Sequence, residues 1–458
     1  MVTDLTISEV AVLQAVKIDV VKSGAKVAKY NASIVAKRDA LVRVYVAPGS
    51  GYQARALTGE LRLEDNGATK VLVDTKTMTA ASTDDALAST FDFDVSGDLL
   101  TKTTKFSVAV RDPQTGPQQG QTGGAQYPAD GTTDSLGAES TGDQLKVVVV
   151  PVQYGADGSN RVPDTGAAQL ETYRQAMYGF YPAAKIDLTV RAPFPYSSAI
   201  SASGTGFSTV LQAVQNLRQQ DGVSDDVYYY GAFMPAASFA TYCGSGCVTG
   251  LSSVGSSPQD SLVRASVGIG FTGQESAITM AHELGHAHGR LHSPCGGASG
   301  PDPNYPYSGG GIGVQGYDLN KKALVPASTG KDLMGYCQPE WISDYTYQAL
   351  VDRMQYVNNA SGAFGAYATP QTFRYVDVAA DGSASWGADI TLRARPWGEE
   401  HDVTFTASDG SVLGAGTAYY YAYDHLPGGF ALVPAGPSTA SRVAIKGLAG
   451  RAVTSLVR

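Results

Sequence analysis

Eleven residues constrain the fold of this chain more than any other stretch. His282 to His292, with the sequence HELGHAHGRLH, hold four of the six histidines. A helix is predicted to begin just before them, because Thr272 and Glu275 have the spacing of a capping box. On a helix, His282 and His286 are four residues apart and share one face. The fold must therefore present both imidazoles to a common point.

A glycine is placed to end this helix. Gly289 tolerates the left-handed backbone of a helix C-terminus, so the chain can turn there and bring His292 back. Three imidazoles can bind Zn²⁺ at bond lengths of ~2.1 Å and leave one position open, which distinguishes a catalytic from a structural zinc site. Glu283 lies beside the metal, where a general base for water belongs. The pattern predicts one catalytic zinc ion bound by His282, His286 and His292.

The remaining histidines are not predicted to bind the metal. His288 lies two residues from His286 and is predicted to point away from the shared face, toward solvent or beside the ligands. His401 and His425 are interpreted as surface residues without a role. The alternative for the whole cluster is a polar helix end with coincidental histidines, but HExxHxxGxxH specifies too many positions to favour chance.

The HExxHxxGxxH pattern from His282 to His292 resembles that of the metzincin metallopeptidases. Their second mark is a methionine-containing turn, and KDLMGYC supplies Met334, 42 residues after His292. Tyr336, two residues later, resembles the tyrosine of astacins, serralysins and pappalysins. The resemblance implies that Met334 forms an apolar floor beneath the ligands. It also implies that Tyr336 binds zinc at rest and then stabilises the oxyanion.

The pattern of elements predicts a multidomain α/β+β protein. Short alternating strands over residues 1–113 indicate an immunoglobulin-like β-sandwich, and the Gly/Gln/Thr-rich residues 114–143 are predicted to be a linker. Strand and helix then alternate over 144–361, which predicts a mainly parallel sheet and resembles the order of a metzincin catalytic domain. Residues 362–458 return to a β pattern and are predicted to form a second β-sandwich.

Substrate is predicted to lie extended along an edge strand, since main-chain pairing gives affinity with little demand on sequence. The candidate strand runs from Arg264 to Phe271, just before the histidine helix. Its candidate substrate contacts are Arg264, Ala265, Ser266, Val267 and Gly268. The alternative is an ordinary interior strand.

The four cysteines allow three disulfide pairings, and the sequence does not choose among them. A four-cysteine zinc site is disfavoured because only one close pair, Cys243 and Cys247, is present. The metzincin resemblance implies that Cys295 and Cys337 meet near the zinc.

Disulfide bonds indicate an exported protein. MVTDLTISEV lacks the features of a signal peptide, so we expect that an export signal has been removed.

These features favour a secreted zinc endopeptidase, acting as a monomer on extracellular proteins or glycoproteins. The domain order and the segment MGYCQPEWISDYTY are similar to those of secreted bacterial metzincins related to mucin-cleaving enzymes. A net charge of −9 without a basic stripe argues against nucleic acid, and no apolar run reaches about 18 residues. The alternative is an adhesin with an inactive metzincin domain, motivated by the β-sandwiches and the segment YYYAY. Such a protein usually loses its base or a ligand, whereas Glu283 is present.

Two further hypotheses concern latency and a second metal ion. Asp130, in YPADG, precedes the α/β region and is a candidate for a residue that holds the enzyme latent by reaching the metal. The alternative is an ordinary turn aspartate. Calcium would find oxygen ligands in loops such as GPDPNYP, but their spacing matches no calcium motif.

Overall fold

The computed structural model describes residues 1–113, 124–255, 257–359 and 366–457. The first described segment and the start of the second form nine strands. They are β1 Leu5–Lys22, β2 Ala25–Lys26, β3 Ala40–Pro48, β4 Arg55–Asp65, β5 Ala68–Met78, β6 Phe91–Val95, β7 Lys105–Arg111, β8 Gln126–Tyr127 and β9 Asp134–Ser135. One sheet contains β1, β3 and β6, and a second contains β4, β5 and β7. The sheets are in direct contact, since a Cβ at Gly59 of β4 would lie 2.6 Å from the Phe91 ring of β6.

Part of the predicted linker belongs to this second sheet. Residues 114–123 of the linker lie outside the described residues. In the remainder, β8 and β9 both pair with β7. Tyr127 of β8 is buried and stacks on Phe106 at 5.7 Å between ring centroids. Residues 126–135 are therefore anchored by strand pairing and aromatic packing, which a polar composition does not reveal.

The α/β region follows. Its elements are β10 Gln144–Tyr154, α1 Ala167–Phe180, β11 Lys185–Val190, β12 Phe194–Tyr196, α2 Phe207–Asp221, β13 Val227–Phe233, α3 Phe239–Tyr242, β14 Gly250–Leu251, β15 Ala265–Ile269, α4 Gln274–Ala287, β16 Gly316–Asp318, β17 Ala323–Val325, β18 Lys331–Asp332, β19 Glu340–Trp341 and α5 Asp344–Asn359. The central sheet has the order β11-β10-β13-β15-β14, and every pair in it is parallel except β14–β15. No described helix is long and apolar enough to cross a membrane.

Helices cover both faces of this sheet. Alternate residues of β13 point to opposite faces, as strand geometry requires. Tyr228 and Tyr230 pack in the cluster that includes α1 and α4, whereas Tyr229 packs in the cluster that includes α2. The arrangement places α4, with its histidines, directly against the sheet.

The strand predicted to bind substrate is not an edge strand. β15 lies between β13 and β14, with Ala265 opposite Tyr229 and Gly268 opposite Gly250. All five candidate contacts from Arg264 to Gly268 are buried. The prediction was wrong because β14, the actual edge strand, has only two residues and leaves no alternating pattern in the sequence.

The segment after the histidine helix is built onto the N-terminal sheet. β16 pairs with β1, where Ala15 lies opposite Tyr317, and the sheet order becomes β17-β16-β1-β3-β6. Trp341 Nε1 donates a hydrogen bond of 2.8 Å to the Ala15 carbonyl. One hydrophobic cluster accordingly contains buried residues from β1 through α5. The N-terminal region is a structural part of the α/β region's core.

The C-terminal region forms one curled sheet. Its strands are β20 Ala366–Val378, β21 Ala384–Ala394, β22 Glu399–Thr406, β23 Val412–Ala422, β24 Gly429–Pro434, β25 Arg442–Lys446 and β26 Val453–Val457. They form one antiparallel ladder of order β21-β20-β24-β23-β22-β25-β26. The two ends approach each other, as Trp386 Nε1 donates to the Val457 carbonyl at 2.8 Å. The sequence predicted a β-sandwich, which consists of two sheets. The structure has a single sheet instead, because each strand pairs with the next one in the same ladder.

This sheet packs onto the α/β region. Tyr421 and Phe430 share a buried cluster with Leu262 and Val263, which lie just before β15. The Tyr421 hydroxyl donates to the buried carboxylate of Asp260 at 2.6 Å. The loop between β23 and β24 is thereby brought beside the edge strand β14, where Tyr423 forms a bridge with Ser253.

Candidate metal centre

The start of α4 is held by another helix. Gly273 caps it with φ of +124° and without a side-chain cap, so the predicted capping box of Thr272 and Glu275 is wrong. Instead, Gln169 of α1 accepts a hydrogen bond from Gly273 N at 2.8 Å and donates to Gly273 O at 3.2 Å. This tertiary contact replaces the local one and orients α4 against α1.

The end of α4 turns sharply at Gly289. Its φ is +83°, in the left-handed region that favours glycine. Gly289 N donates to His286 O at 2.7 Å and Arg290 N donates to Gly285 O at 3.0 Å. A Cβ at Gly289 would lie 2.2 Å from the Arg353 guanidinium. Glycine thus suits both the backbone angle and the available space, and the turn directs the chain back toward His292.

The structure brings the three predicted ligands together. His286 Nε2 lies 3.1 Å from His282 Nε2 and 3.2 Å from His292 Nε2. Ligands bound tetrahedrally to zinc at ~2.1 Å would be about 3.4 Å apart, so these separations fit one shared ion. All three side chains are buried.

The other nitrogen of each ring explains this orientation. The Nδ1 atoms of His282, His286 and His292 lie 2.7, 2.6 and 2.6 Å from the carbonyl oxygens of Leu333, Arg290 and Ser299. A carbonyl can only accept, so each Nδ1 carries the proton and each Nε2 presents a lone pair. Three lone pairs that converge in a buried site can hold one cation between them.

Burial keeps these imidazoles neutral. It lowers the pKa of His292 to about 4 and those of His282 and His286 well below their usual range. Metal binding requires neutral imidazole, so the site does not have to release protons first at physiological pH. Both the donor atoms and their protonation state fit a divalent metal such as zinc.

Glu283 belongs to the same helix as His282 and His286. Its Oε2 accepts a hydrogen bond from Ser252 Oγ at 2.8 Å, and burial raises the pKa of Glu283 to about 8. A bound cation would favour the ionised form. β14 passes directly over the carboxylate, because a Cβ at Gly250 would lie 2.2 Å from Glu283 Oε1. The Glu283 carboxylate and the sheet edge therefore adjoin each other.

Met334 lies beneath the ligand-bearing turn of α4. It is buried, and a Cβ at Gly285 would come within 2.5 Å of its sulfur. The buried Asp332 carboxylate shapes this turn by accepting from Met334 N at 2.9 Å. Ser293 N donates to Met334 O at 2.9 Å, which ties the turn to the segment that carries His292.

Tyr336 lies at the mouth of the site. Its hydroxyl is 3.2 Å from His292 Nε2 and also contacts His425 Nδ1. The side chain is 45% exposed, so it can move, while Tyr336 N is held by the Cys295 carbonyl at 3.2 Å. Partial burial raises the pKa of the phenol above its usual range, so it remains a proton donor.

Both cysteine pairs are at disulfide distance. Cys295 bonds Cys337 with 5.7 Å between Cα atoms, and Cys243 bonds Cys247 with 4.9 Å. The first pair connects the His292 segment to the Met334 turn. All four sulfurs are bonded, which removes the four-cysteine zinc site from consideration.

Sequence reasoning missed two residues of the site, Asp424 and His425. His425 Nε2 lies 2.9 Å from Glu283 Oε1 and 3.1 Å from Asp424 Oδ2, and His425 joins the three ligands in a cluster able to bind a metal. The interpretation of His425 as an unremarkable surface residue was wrong. The available signal was weak: an Asp-His pair in a Tyr-flanked hairpin loop, 133 residues beyond His292.

Two other histidines are buried for packing. His288 stacks on Tyr228 with 4.1 Å between ring centroids and lies 2.6 Å, through Nδ1, from the Leu284 carbonyl. Burial lowers its pKa to about 3. His401 is also buried, with Nδ1 3.0 Å from the Lys446 carbonyl. The expectation of a surface position was wrong for His401, and of the two options predicted for His288 the solvent-facing one was wrong.

Asp130 makes a local turn. Its Oδ1 accepts from Thr132 N at 3.0 Å and from Thr132 Oγ1 at 2.7 Å, and the residue is exposed. Two groups of side chains among the described residues can hold a metal ion, and Asp130 is in neither. The structure therefore fits the plainer interpretation of this residue.

A comparison with protein families bears on this geometry. The model of the Peptidase M66 family, a mucinase-like zinc metallopeptidase family, matches residues 203–379. The match supports a metallopeptidase. It spans α2 to β20, including every predicted ligand, Glu283 and the Met334 turn, and it ends before Asp424. No curated protein matches the chain.

Proposed function

We propose that this protein is a secreted, monomeric zinc endopeptidase of the metzincin type that cleaves extracellular proteins or glycoproteins. One observation carries the proposal: three neutral imidazoles present their Nε2 lone pairs to one point beside a buried glutamate. The helix turn at Gly289 and the buried Met334 beneath α4 support the metzincin assignment. The family match supports peptide-bond hydrolysis.

His282, His286 and His292 would hold the zinc ion. When bound, zinc supplies Lewis-acid chemistry, which acidifies a water molecule and polarises the scissile carbonyl. Glu283 takes the proton of the attacking water on Oε1, while Ser252 holds Oε2. Glu283 then donates this proton to the leaving amine.

Tyr336 stabilises the negative charge that develops on the carbonyl oxygen. Its phenol stays protonated and lies at the open side of the ligand cluster, so it can donate a hydrogen bond to the oxyanion. The exposed side chain can move, while the backbone is fixed by Cys295.

We assign substrate binding to the edge at β14 in place of the strand at 264–268. An extended substrate paired with this edge would lie directly above Glu283, since Gly250 has no side chain to intervene. The two disulfides fit an extracellular protein. The mucinase-like family supports a mucin-type glycoprotein as the substrate class.

The tyrosine-rich segment gives little support to the adhesin alternative. Tyr421 is buried, stacks on Phe430 at 5.0 Å and bonds Asp260. These rings fill the junction between the C-terminal sheet and the α/β region and do not form an open sugar-binding face.

A cleavage assay tests the proposed function. We expect about one zinc per chain and cleavage of a mucin-type glycoprotein, which stops on chelation and returns with one equivalent of zinc. Casein and the enzymatically deglycosylated substrate, assayed in parallel, show whether glycans are recognised. Zinc binding without cleavage of any of the three substrates would contradict the proposal.

We expect Tyr336→Phe to lower kcat by about 10²-fold with little change in KM, because an oxyanion donor acts mainly in the transition state. Zinc content should stay at the wild-type level. Steady-state kinetics on casein measure the effect, and Tyr356→Phe, on the partly exposed side of α5, is the control. A rise in KM at constant kcat would assign Tyr336 to substrate binding instead.

A further inference from the structure

One loop of the C-terminal sheet enters the metal centre. It runs from Tyr423 to Gly428, between the paired ends of β23 and β24 at Ala422 and Gly429, and we call it the 423–428 loop. It lies outside the residues matched by the family model. The catalytic machinery proposed above makes no use of it.

The 423–428 loop occupies the sheet edge next to β14. Tyr423 forms an antiparallel bridge with Ser253. Asp424 N donates to Ser252 O at 3.4 Å, and Ser252 N donates to the Asp424 carboxylate at 2.9 Å. Ser252 follows β14 directly, so the loop takes main-chain positions that an extended substrate would use.

His425 also fills the open side of the ligand cluster. Its ring centroid lies 5.0, 5.4 and 4.9 Å from those of His282, His286 and His292. One nitrogen from each of the four rings falls within 4.8 Å of the others. His425 therefore lies over the open side of the cluster, with Nε2 2.9 Å from Glu283 Oε1.

Asp424 anchors the loop beside this histidine. Its side chain is fully buried, with Oδ2 3.1 Å from His425 Nε2 and 3.2 Å from His286 Nε2. A buried carboxylate near a buried Glu283 is costly unless positive charge compensates both. Its attachment to Ser252 and to Ser299, whose Oγ donates to Asp424 O at 2.9 Å, fixes it in this position.

We propose that the 423–428 loop is a built-in inhibitor, with His425 as a fourth zinc ligand supplied by the C-terminal sheet. The described conformation is then a closed state that retains zinc and excludes substrate. This inference rests on the zinc site of the proposed function. Opening separates Tyr423 and Leu426 from the hydrophobic cluster of the α/β region, while the strand pairing at Ala422 and Gly429 stays in place.

The test compares His425→Ala with wild type and with Pro427→Ala, an exposed control in the same loop. We expect His425→Ala to bind zinc about 10-fold or more weakly in competition with a chelator. The visible spectrum of the cobalt-substituted protein should change, and casein hydrolysis at saturating zinc should be several-fold faster. Pro427→Ala should match wild type in all three measurements.

A second variant distinguishes the loss of a zinc ligand from misfolding of the loop. His425→Gln keeps a polar side chain of similar size but is a poor zinc ligand, so it should reproduce both effects. In the double variant Glu283→Gln/His425→Ala, the loss of zinc affinity should persist while hydrolysis stays as low as in Glu283→Gln, which separates metal binding from activity.

Two results would overturn the inference and leave the proposed function standing. Unchanged zinc affinity and an unchanged cobalt spectrum in His425→Ala would show that His425 is not a ligand. Slower hydrolysis with full zinc content would show that His425 assists the reaction. Absence of zinc binding in wild type itself would overturn the proposed function together with the inference.

Discussion

Glu283→Gln is expected to lower kcat/KM for casein by about 10³–10⁴-fold while leaving zinc content unchanged. Loss of a general acid–base residue typically costs up to this amount. Glutamine has the same shape and can still accept the hydrogen bond from Ser252 Oγ, but its amide cannot take a proton from water. None of the three ligand rings is altered, so metal binding and activity should separate cleanly in this variant.

The matched control for this variant is Glu275→Gln, which removes an exposed carboxylate from the first turn of the same helix. It should retain wild-type activity. Zinc content is measured by metal analysis and hydrolysis by initial rates on casein. If Glu283→Gln kept a tenth or more of wild-type kcat/KM with full zinc, another group would have to be the base.

The core of this site is predictable because it is local in sequence. The three ligands and Glu283 lie within eleven residues, so helix periodicity and one glycine turn determine their relative positions. Met334 and Tyr336 lie more than 40 residues away. They entered the predicted site through a family resemblance, since no local rule relates a turn at 334 to a helix at 282.

The residues that were missed depend on long-range pairing. His425 reaches the site because Tyr423 pairs with Ser253, and no periodicity encodes that bridge. The edge strand was misplaced because β14 has only two residues. The capping box failed because Gln169, about a hundred residues earlier, bonds Gly273 from α1. Sequence patterns therefore predicted which segments form helices and strands, but not which of these segments contact one another.

Replacing both Cys295 and Cys337 by alanine is expected to lower the free energy of unfolding by about 4 kcal/mol. The bond spans 42 residues, and releasing a loop of that length restores considerable entropy to the unfolded chain. Denaturant titration of the zinc-free protein measures the change, because bound metal would add its own stabilisation. The variant should also bind zinc more weakly, since the disulfide joins the His292 segment to the Met334 turn.

The chain offers a matched control in its second disulfide. Cys243 and Cys247 are only four residues apart, so their replacement by alanine should cost about 2 kcal/mol. That bond connects no pair of metal-centre segments, so zinc affinity should stay at the wild-type level. Equal losses of stability in the two double variants would show that loop length does not govern the effect. Unchanged zinc affinity in Cys295→Ala/Cys337→Ala would show that the hydrogen bonds between Ser293 and Met334 and between Tyr336 and Cys295 suffice to hold the site.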